Sequence, residues 1–301
     1  LILKLNYIIF INMSCPMIKL NNGKEIPQLG FGVYQIKPED TKRCVLEALK
    51  VGYRHIDTAH YYENERQVGE AIKEFLENNK EVKREDIWVT SKVWVTEFGK
   101  GKTRSAVGKM LKRLGLEYID LVLIHYPYND YMGAYKELEE EVEAGHIKSI
   151  GISNFEDSKF EDFFNNVTIK PVLNQIELHP YFQQRVIREK MNAKDVKTEG
   201  WAPLAQATTY LFKENIIVKL AQKYQKTEAQ IVLRWHIQSG FITIPKSCNP
   251  KRIKENFEIF DFELAQDEME QINSLNGKRG RVQYNSFILY FGLWFMPAPK
   301  D

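Results

Sequence analysis

Short apolar runs alternate with helix-patterned stretches along most of this chain, and that alternation restricts its fold more than any other feature. The runs occupy residues 29–32, 54–56, 87–91, 119–124, 149–153, 171–177, 196–202 and 241–245. Those at 54–56, 87–90 and 119–124 are β-branched or alternating, as strands are. Between the runs, Val45, Ala48 and Leu49 fall at the three-and-four spacing of one buried helical face, and another helix starts at Glu65. Further helices are expected over 103–114, across Tyr135, Leu138 and Val142, and near Arg185. Two helical segments follow the seventh run. Thr227 and Gln230 form a capping box for the second, which buries Ala229, Val232 and Leu233. Asn249 and Pro250 then cap and start one more. Eight such units in about 250 residues fit an α/β fold of the (β/α)8 TIM-barrel type. The N-terminal β-hairpin before it turns at Asn22 and Gly23. A doubly wound sheet is the rival, but Gly30 and Gly32 lack the GxGxxG spacing and following acid of its phosphate loop.

No linker or composition break divides the 301 residues, so 17–277 reads as a single barrel domain. Residues 1–16 are expected to be an extension outside it. Their apolar run LILKLNYIIFIN falls short of the roughly 20 residues a bilayer needs and lacks a small-residue cleavage site. Residues 278–301 form an aromatic tail, also too short to span, with packing on the barrel rim, a membrane surface or an aberrant terminus all open. A net charge of +2 gives no case for nucleic acid or an acidic membrane. Cys15, Cys44 and Cys248 form no CxxC, which suggests reduced thiols and a cytoplasmic protein. The six histidines include no HExxH and no Cys/His cluster, so no metal is expected.

Barrels of this kind carry their chemistry at the C-terminal ends of the strands. There the sequence puts Asp57 and Tyr62 after the second run, Lys92 after the third and His125 after the fourth. A phenol, an ammonium, a carboxylate and an imidazole delivered to one rim make a proton-donating set. Tyr61 sits beside Tyr62, and spacing from Asp57 selects Tyr62. His55 and His60 have no comparable support and read as structural or surface residues.

Seven motifs in order, GYRHIDTAHYYENE (52–65), TSKVW (90–94), LIHYP (123–127), GISNF (151–155), NQIELHP (174–180), GWAPLA (200–205) and IPKS…RIKEN (244–256), resemble the aldo-keto reductase family, in its microbial-type branch. The resemblance runs from about residue 18 to residue 275. It implies a (β/α)8 barrel, NADPH bound extended without a Rossmann fold, and reduction of aldehydes or ketones to alcohols. On that basis the hydride comes from the nicotinamide and the proton from Tyr62. A free tyrosine, with a pKa near ~10, is a reluctant acid; Lys92 close by would lower it towards a useful range. Asp57 would hold the Lys92 ammonium, and His125 would donate to the carbonyl oxygen.

For the cofactor, Ser153, Asn154 and Gln175 are placed to hydrogen-bond the nicotinamide carboxamide, and Trp201 implies an aromatic face stacked on the ring. Lys246, Ser247 and Arg252 around a helix N-terminus suit the 2′-phosphate of NADPH, while Glu255 and Asn256 match positions that contact adenine. Tyr34, Trp94 and Tyr126 are expected to wall the substrate pocket. The short connection after His125 (YPYNDYMG) fits small or polar carbonyls such as methylglyoxal-like aldehydes, aldoses or keto-sugar acids. The expected partner is thus a small-molecule carbonyl substrate, bound by a monomer. A non-catalytic NADPH-binding subunit that senses redox state is the rival function, but a pure binder does not need the proton donor.

Overall fold

The computed structural model describes residues 15–207, 210–282 and 299. The extension before Cys15 and, apart from Pro299, the aromatic tail from 283 onward lie outside the described residues. Two short strands, β1 (Met17–Lys19) and β2 (Glu25–Pro27), pair antiparallel, with Ile18 opposite Ile26. Strands and helices then alternate: β3 (Phe31–Gly32), α1 (Pro38–Val51), β4 (His55–Asp57), α2 (Glu65–Asn78), β5 (Trp88–Val93), α3 (Lys102–Leu114), β6 (Leu121–Ile124) and α4 (Tyr131–Glu143). The second half continues with β7 (Ile150–Ser153), α5 (Asp157–Asn166), β8 (Leu173–Glu177), α6 (Arg185–Ala193), β9 (Lys197–Trp201), α7 (Asn215–Tyr224), α8 (Glu228–Gln238), β10 (Ile242–Thr243), α9 (Pro250–Phe257) and α10 (Gln266–Asn273).

Strands β3 to β10 form one eight-stranded parallel sheet in chain order. Its edges meet. Gly30 N donates to Thr243 O at 2.8 Å, Thr243 N donates to Gln28 O at 2.9 Å and Gly32 N donates to Pro245 O at 3.1 Å, which leaves no open edge between β10 and β3. The expected barrel is the observed one. Helices cover its outside, so strands such as β6 are buried on both faces and read as continuous apolar runs.

The hairpin plugs the N-terminal end. Leu20 and Ile26 pack there on Trp88, Leu121, Leu173 and Ile242. Full burial of one such side chain is worth about 2–3 kcal/mol, so the plug leaves the opposite mouth as the open end. Cys15 and Pro16, assigned by sequence to the extension, join this layer: Leu29 N donates to Cys15 Sγ at 3.2 Å and Gln28 N to Pro16 O at 2.8 Å.

The sequence gives no limits for α5, the helix expected after the fifth strand, and no sign of α10. Each carries a single pair of buried apolar residues three apart, Phe160 with Phe163 and Met269 with Ile272, too little for a clear period. Strand limits also shift. β4 runs one residue later than 54–56, and β5 extends to Val93, so Lys92 lies inside a strand and not beyond its end.

Gly30 is required by close approach. A Cβ there would sit 2.6 Å from His55 Nδ1 and 2.9 Å from Ile244 Cγ2. Gly30→Ala should therefore cost about 1–3 kcal/mol through overpacking, read as a lower urea midpoint. An unchanged midpoint would show that His55 can move aside.

Candidate active site

Asp57 ends β4, Lys92 sits on the inner face of β5, and His125 follows β6 directly. Tyr62 closes a single 3-10 turn, His60–Tyr62, after β4. Buried Asn64 stitches that loop down. It accepts from Thr58 Oγ1 at 2.9 Å and donates to Val33 O and Ile36 O at 3.0 and 3.2 Å. Lys92 has no solvent exposure. Its Nζ donates to Asp57 Oδ1 and Oδ2 at 2.7 and 2.8 Å, to Thr58 O at 3.0 Å, and to Tyr62 Oη at 3.2 Å. The Tyr62 and His125 rings stand edge to face with centroids 5.8 Å apart. Tyr61 instead stacks on Trp94 at 4.0 Å. His55 and His60 are both buried, and His60 Nδ1 lies 2.7 Å from Glu97 Oε1.

Electrostatics correct one expectation. The Tyr62 hydroxyl is held well above its ordinary value, by burial first and by the Asp57 carboxylate second, and is not lowered by Lys92. The reason is geometric: the hydroxyl is cut off from water and stands beside the Asp57 carboxylate, both of which disfavour a phenolate. Burial, and then Lys92, push His125 well below the usual imidazole range, so it is neutral at physiological pH.

A cavity of about 550 Å³ opens over this cluster. Tyr34, Trp94 and Tyr126 line one side, and Tyr126 stacks on His125 at 5.2 Å. Ser153, Asn154, Gln175 and Trp201 line its middle. Asn154 is tied into the protein: its Nδ2 donates to His125 O and Ser153 Oγ at 3.0 Å each, and its Oδ1 accepts from Trp201 Nε1 at 2.9 Å. That chain fixes the indole with its ring on the cavity. Gln175, at the cavity lining, also turns its amide inward: its Nε2 donates to Asp57 Oδ2 at 2.8 Å and Glu199 Oε2 at 2.9 Å. Glu199, fully buried on β9, was not singled out by sequence; an acid inside a strand gives no local sign of what it will face across a barrel.

The far end of the cavity is basic. Lys246, Ser247 and Arg252 line it, and Asn249 caps α9 by accepting from Arg252 N at 3.3 Å. Neither Lys246 nor Arg252 side chain is in an ion pair among the described residues. Glu255 and Asn256 stand off the cavity lining; Glu255 pairs with Lys251 at 3.7 Å, and Asn256 is buried. An aromatic face at one end and unpaired cations beside a helix N-terminus at the other fit a phosphorylated dinucleotide.

A barrel closed by parallel strands, with a buried lysine–aspartate–tyrosine cluster at its mouth, defines an oxidoreductase of the aldo-keto type. The profile of the aldo/keto reductase family matches residues 28–277. A methylglyoxal reductase of Yersinia pestis is 44% identical over 88% of this chain and 94% of its own length. A 9,11-endoperoxide prostaglandin H2 reductase of Trypanosoma cruzi is 42% identical over 88% of this chain and 92% of its own. Among solved structures, an aldo-keto reductase of Bombyx mori in complex with NADP superposes with a TM-score of 0.86 at 32% identity, covering 95% of this chain and 99% of that one. This chain belongs to the aldo/keto reductase family. It is an NADP-dependent oxidoreductase acting on carbonyl groups.

Proposed function

We propose that this enzyme reduces small α-keto aldehydes and sugar-derived carbonyls with NADPH, and that Tyr62 supplies the proton. The observation that carries the reading is the fully buried Lys92 ammonium, held on Asp57 and hydrogen-bonded to the Tyr62 hydroxyl at 3.2 Å. Bound NADPH supplies the hydride. Neutral His125 offers one N–H to the carbonyl oxygen without competing as a stronger acid. Tyr62, held protonated, meets an oxygen that becomes a far stronger base than a phenolate as the carbonyl is reduced, so transfer runs downhill. Lys92 then faces the phenolate, and Asp57 keeps the ammonium in place. Trp94 and Tyr126 wall the side of the cavity assigned to the substrate.

Lys246 and Arg252 are the residues for the 2′-phosphate, and Trp201 for the nicotinamide face. Lys246→Ala should weaken NADPH binding about tenfold, the scale of one charge-assisted hydrogen bond, and leave NADH binding nearly unchanged. Equal losses for both cofactors would remove that assignment. Two of the relatives act, by name, on methylglyoxal and on a prostaglandin endoperoxide. A cavity walled by Tyr34, Trp94 and Tyr126 favours the smaller of these. The test is loss of reduced-nicotinamide absorbance over a carbonyl panel, with NADPH and NADH side by side. A panel of aldehydes, ketoaldehydes and sugar-derived carbonyls that consumes no cofactor would defeat the reading.

A further inference from the structure

Beneath the rim the barrel holds one more acid. Glu199 has no solvent exposure, and its Oε2 accepts from Gln175 Nε2 at 2.9 Å. The same nitrogen donates to Asp57 Oδ2 at 2.8 Å, so one amide bridges two buried carboxyl groups. Lys92 is the ammonium of this cluster, and its hydrogen bonds go to Asp57, Thr58 and Tyr62, none to Glu199. Glu199 Oε1 has no hydrogen-bond partner among the described residues. His55 Nε2 lies 3.6 Å from it and bonds Thr90 Oγ1 at 3.1 Å instead. The titratable groups facing Glu199 are His55 and Asp57 from β4 and Lys92 from β5, with Tyr62 beyond Lys92. Its register partners on β8 and β10 are Gln175 and Ile242, which carry no charge.

A buried carboxyl with one bare oxygen is costly as an anion and inexpensive as a neutral acid. A second anion here would also sit beside Asp57, with only one cation between them. We infer that Glu199 is a positioning residue that holds a proton during carbonyl reduction, and that its ionisation makes Tyr62 a poorer donor. This presupposes Tyr62 as the donor.

The charge pattern agrees. Burial, and then the Asp57 carboxylate, push Glu199 up to about 8, against smaller opposing effects of Gln175 and Lys92. His55 is pushed down to about 3 by burial, so it is neutral and supplies no counter-charge. Glu199 is itself among the groups holding Tyr62 high. When Tyr62 gives up its proton a phenolate forms, and an ionised Glu199 repels it. The rate of reduction should therefore fall as pH rises through the Glu199 titration, then level off, since one buried charge at this range weakens the donor without removing it.

Two measurements test this. Single-turnover carbonyl reduction by the wild type should fall about tenfold between pH ~7 and pH ~9.5, the scale of one like charge acting through protein. Glu199→Gln keeps an acceptor for Gln175 and cannot ionise, so it should lack that fall and outrun the wild type about tenfold at the basic end. Independently of activity, infrared difference spectra of the cofactor-free wild type between pH ~6.5 and pH ~9.5 should show a protonated-carboxyl band disappearing, and Glu199→Gln should lack it. If the variant does not fold, the wild-type spectrum and profile remain decisive. A flat wild-type profile, the same fall in Glu199→Gln, or no carboxyl band lost in the wild type would each overturn the inference. Failure of Tyr62 as donor shows itself separately, as normal turnover by Tyr62→Phe.

Discussion

Tyr62→Phe is expected to lower turnover by about 10²-fold or more, the usual contribution of a positioned general acid, while NADPH binding stays nearly intact. The substitution removes one hydroxyl and leaves the ring between Tyr34 and His125, whose centroids lie 4.9 and 5.8 Å from it. It strands no buried donor. Lys92 Nζ has three hydrogens, and both Asp57 oxygens and Thr58 O already lie within 3.0 Å to accept them. Stability should therefore change little, and the loss should fall on the chemical step. Isothermal binding of NADPH and steady-state rates on the same preparation separate the two. Turnover at the wild-type level would transfer the proton to Tyr61 or to water. Tyr61→Phe on the same assay distinguishes these, because Tyr61 stacks on Trp94 and its ring position does not depend on its hydroxyl.

What the sequence made legible, and what it hid, divides along the distance over which residues act. The alternation of apolar runs with helical faces is local, and it sufficed for the barrel. The cap at Asn249 and the box of Thr227 with Gln230 are local too, and both form: Asn249 accepts from Arg252 N, and Thr227 exchanges bonds with Gln230. Asp57, Lys92 and His125 could be placed on neighbouring strands because adjacent β4, β5 and β6 follow chain order. The interior polar layer could not. Gln175 reaches Asp57 from β8, across the barrel, and bridges it to Glu199 of β9; no sequence spacing reports a contact between residues 118 apart. The direction of the Tyr62 shift was misjudged for the same reason. Proximity to Lys92 and its pairing with Asp57 are foreseeable, but the burial of the hydroxyl and the second carboxyl behind Asp57 depend on side-chain direction inside the barrel. Asn154 is a milder case: a polar residue at a strand end reads as a ligand contact, and the bonds of its amide to Trp201, His125 and Ser153 have no signal in the spacing.

Lys92→Met is the second large effect expected, and it acts on folding as well as chemistry. Lys92 is fully buried and Asp57 is 2% exposed, so removing the ammonium leaves a carboxylate in the barrel with Gln175 Nε2 as its one side-chain donor among the described residues. Breaking a buried pair from one side costs about 3–5 kcal/mol, because the surviving charge is uncompensated. The methionine fills much of the same volume, so a cavity adds little. Lys92→Met should lower the unfolding free energy by that amount, read by urea denaturation, and reduction should fall at least about 10²-fold, since Tyr62 loses the cation that faces its phenolate. Adding Asp57→Asn separates the two roles. With both charges gone no ion is stranded, and the double variant should regain most of the lost stability, a coupling between contacting residues that single changes cannot show. Activity should stay low in the double variant, because stability returns without the cation. A double variant no more stable than Lys92→Met would mean the pair contributes packing and not charge balance. A double variant that recovers reduction would mean Tyr62 gives up its proton unaided, and Lys92 would then be only a prop beneath it.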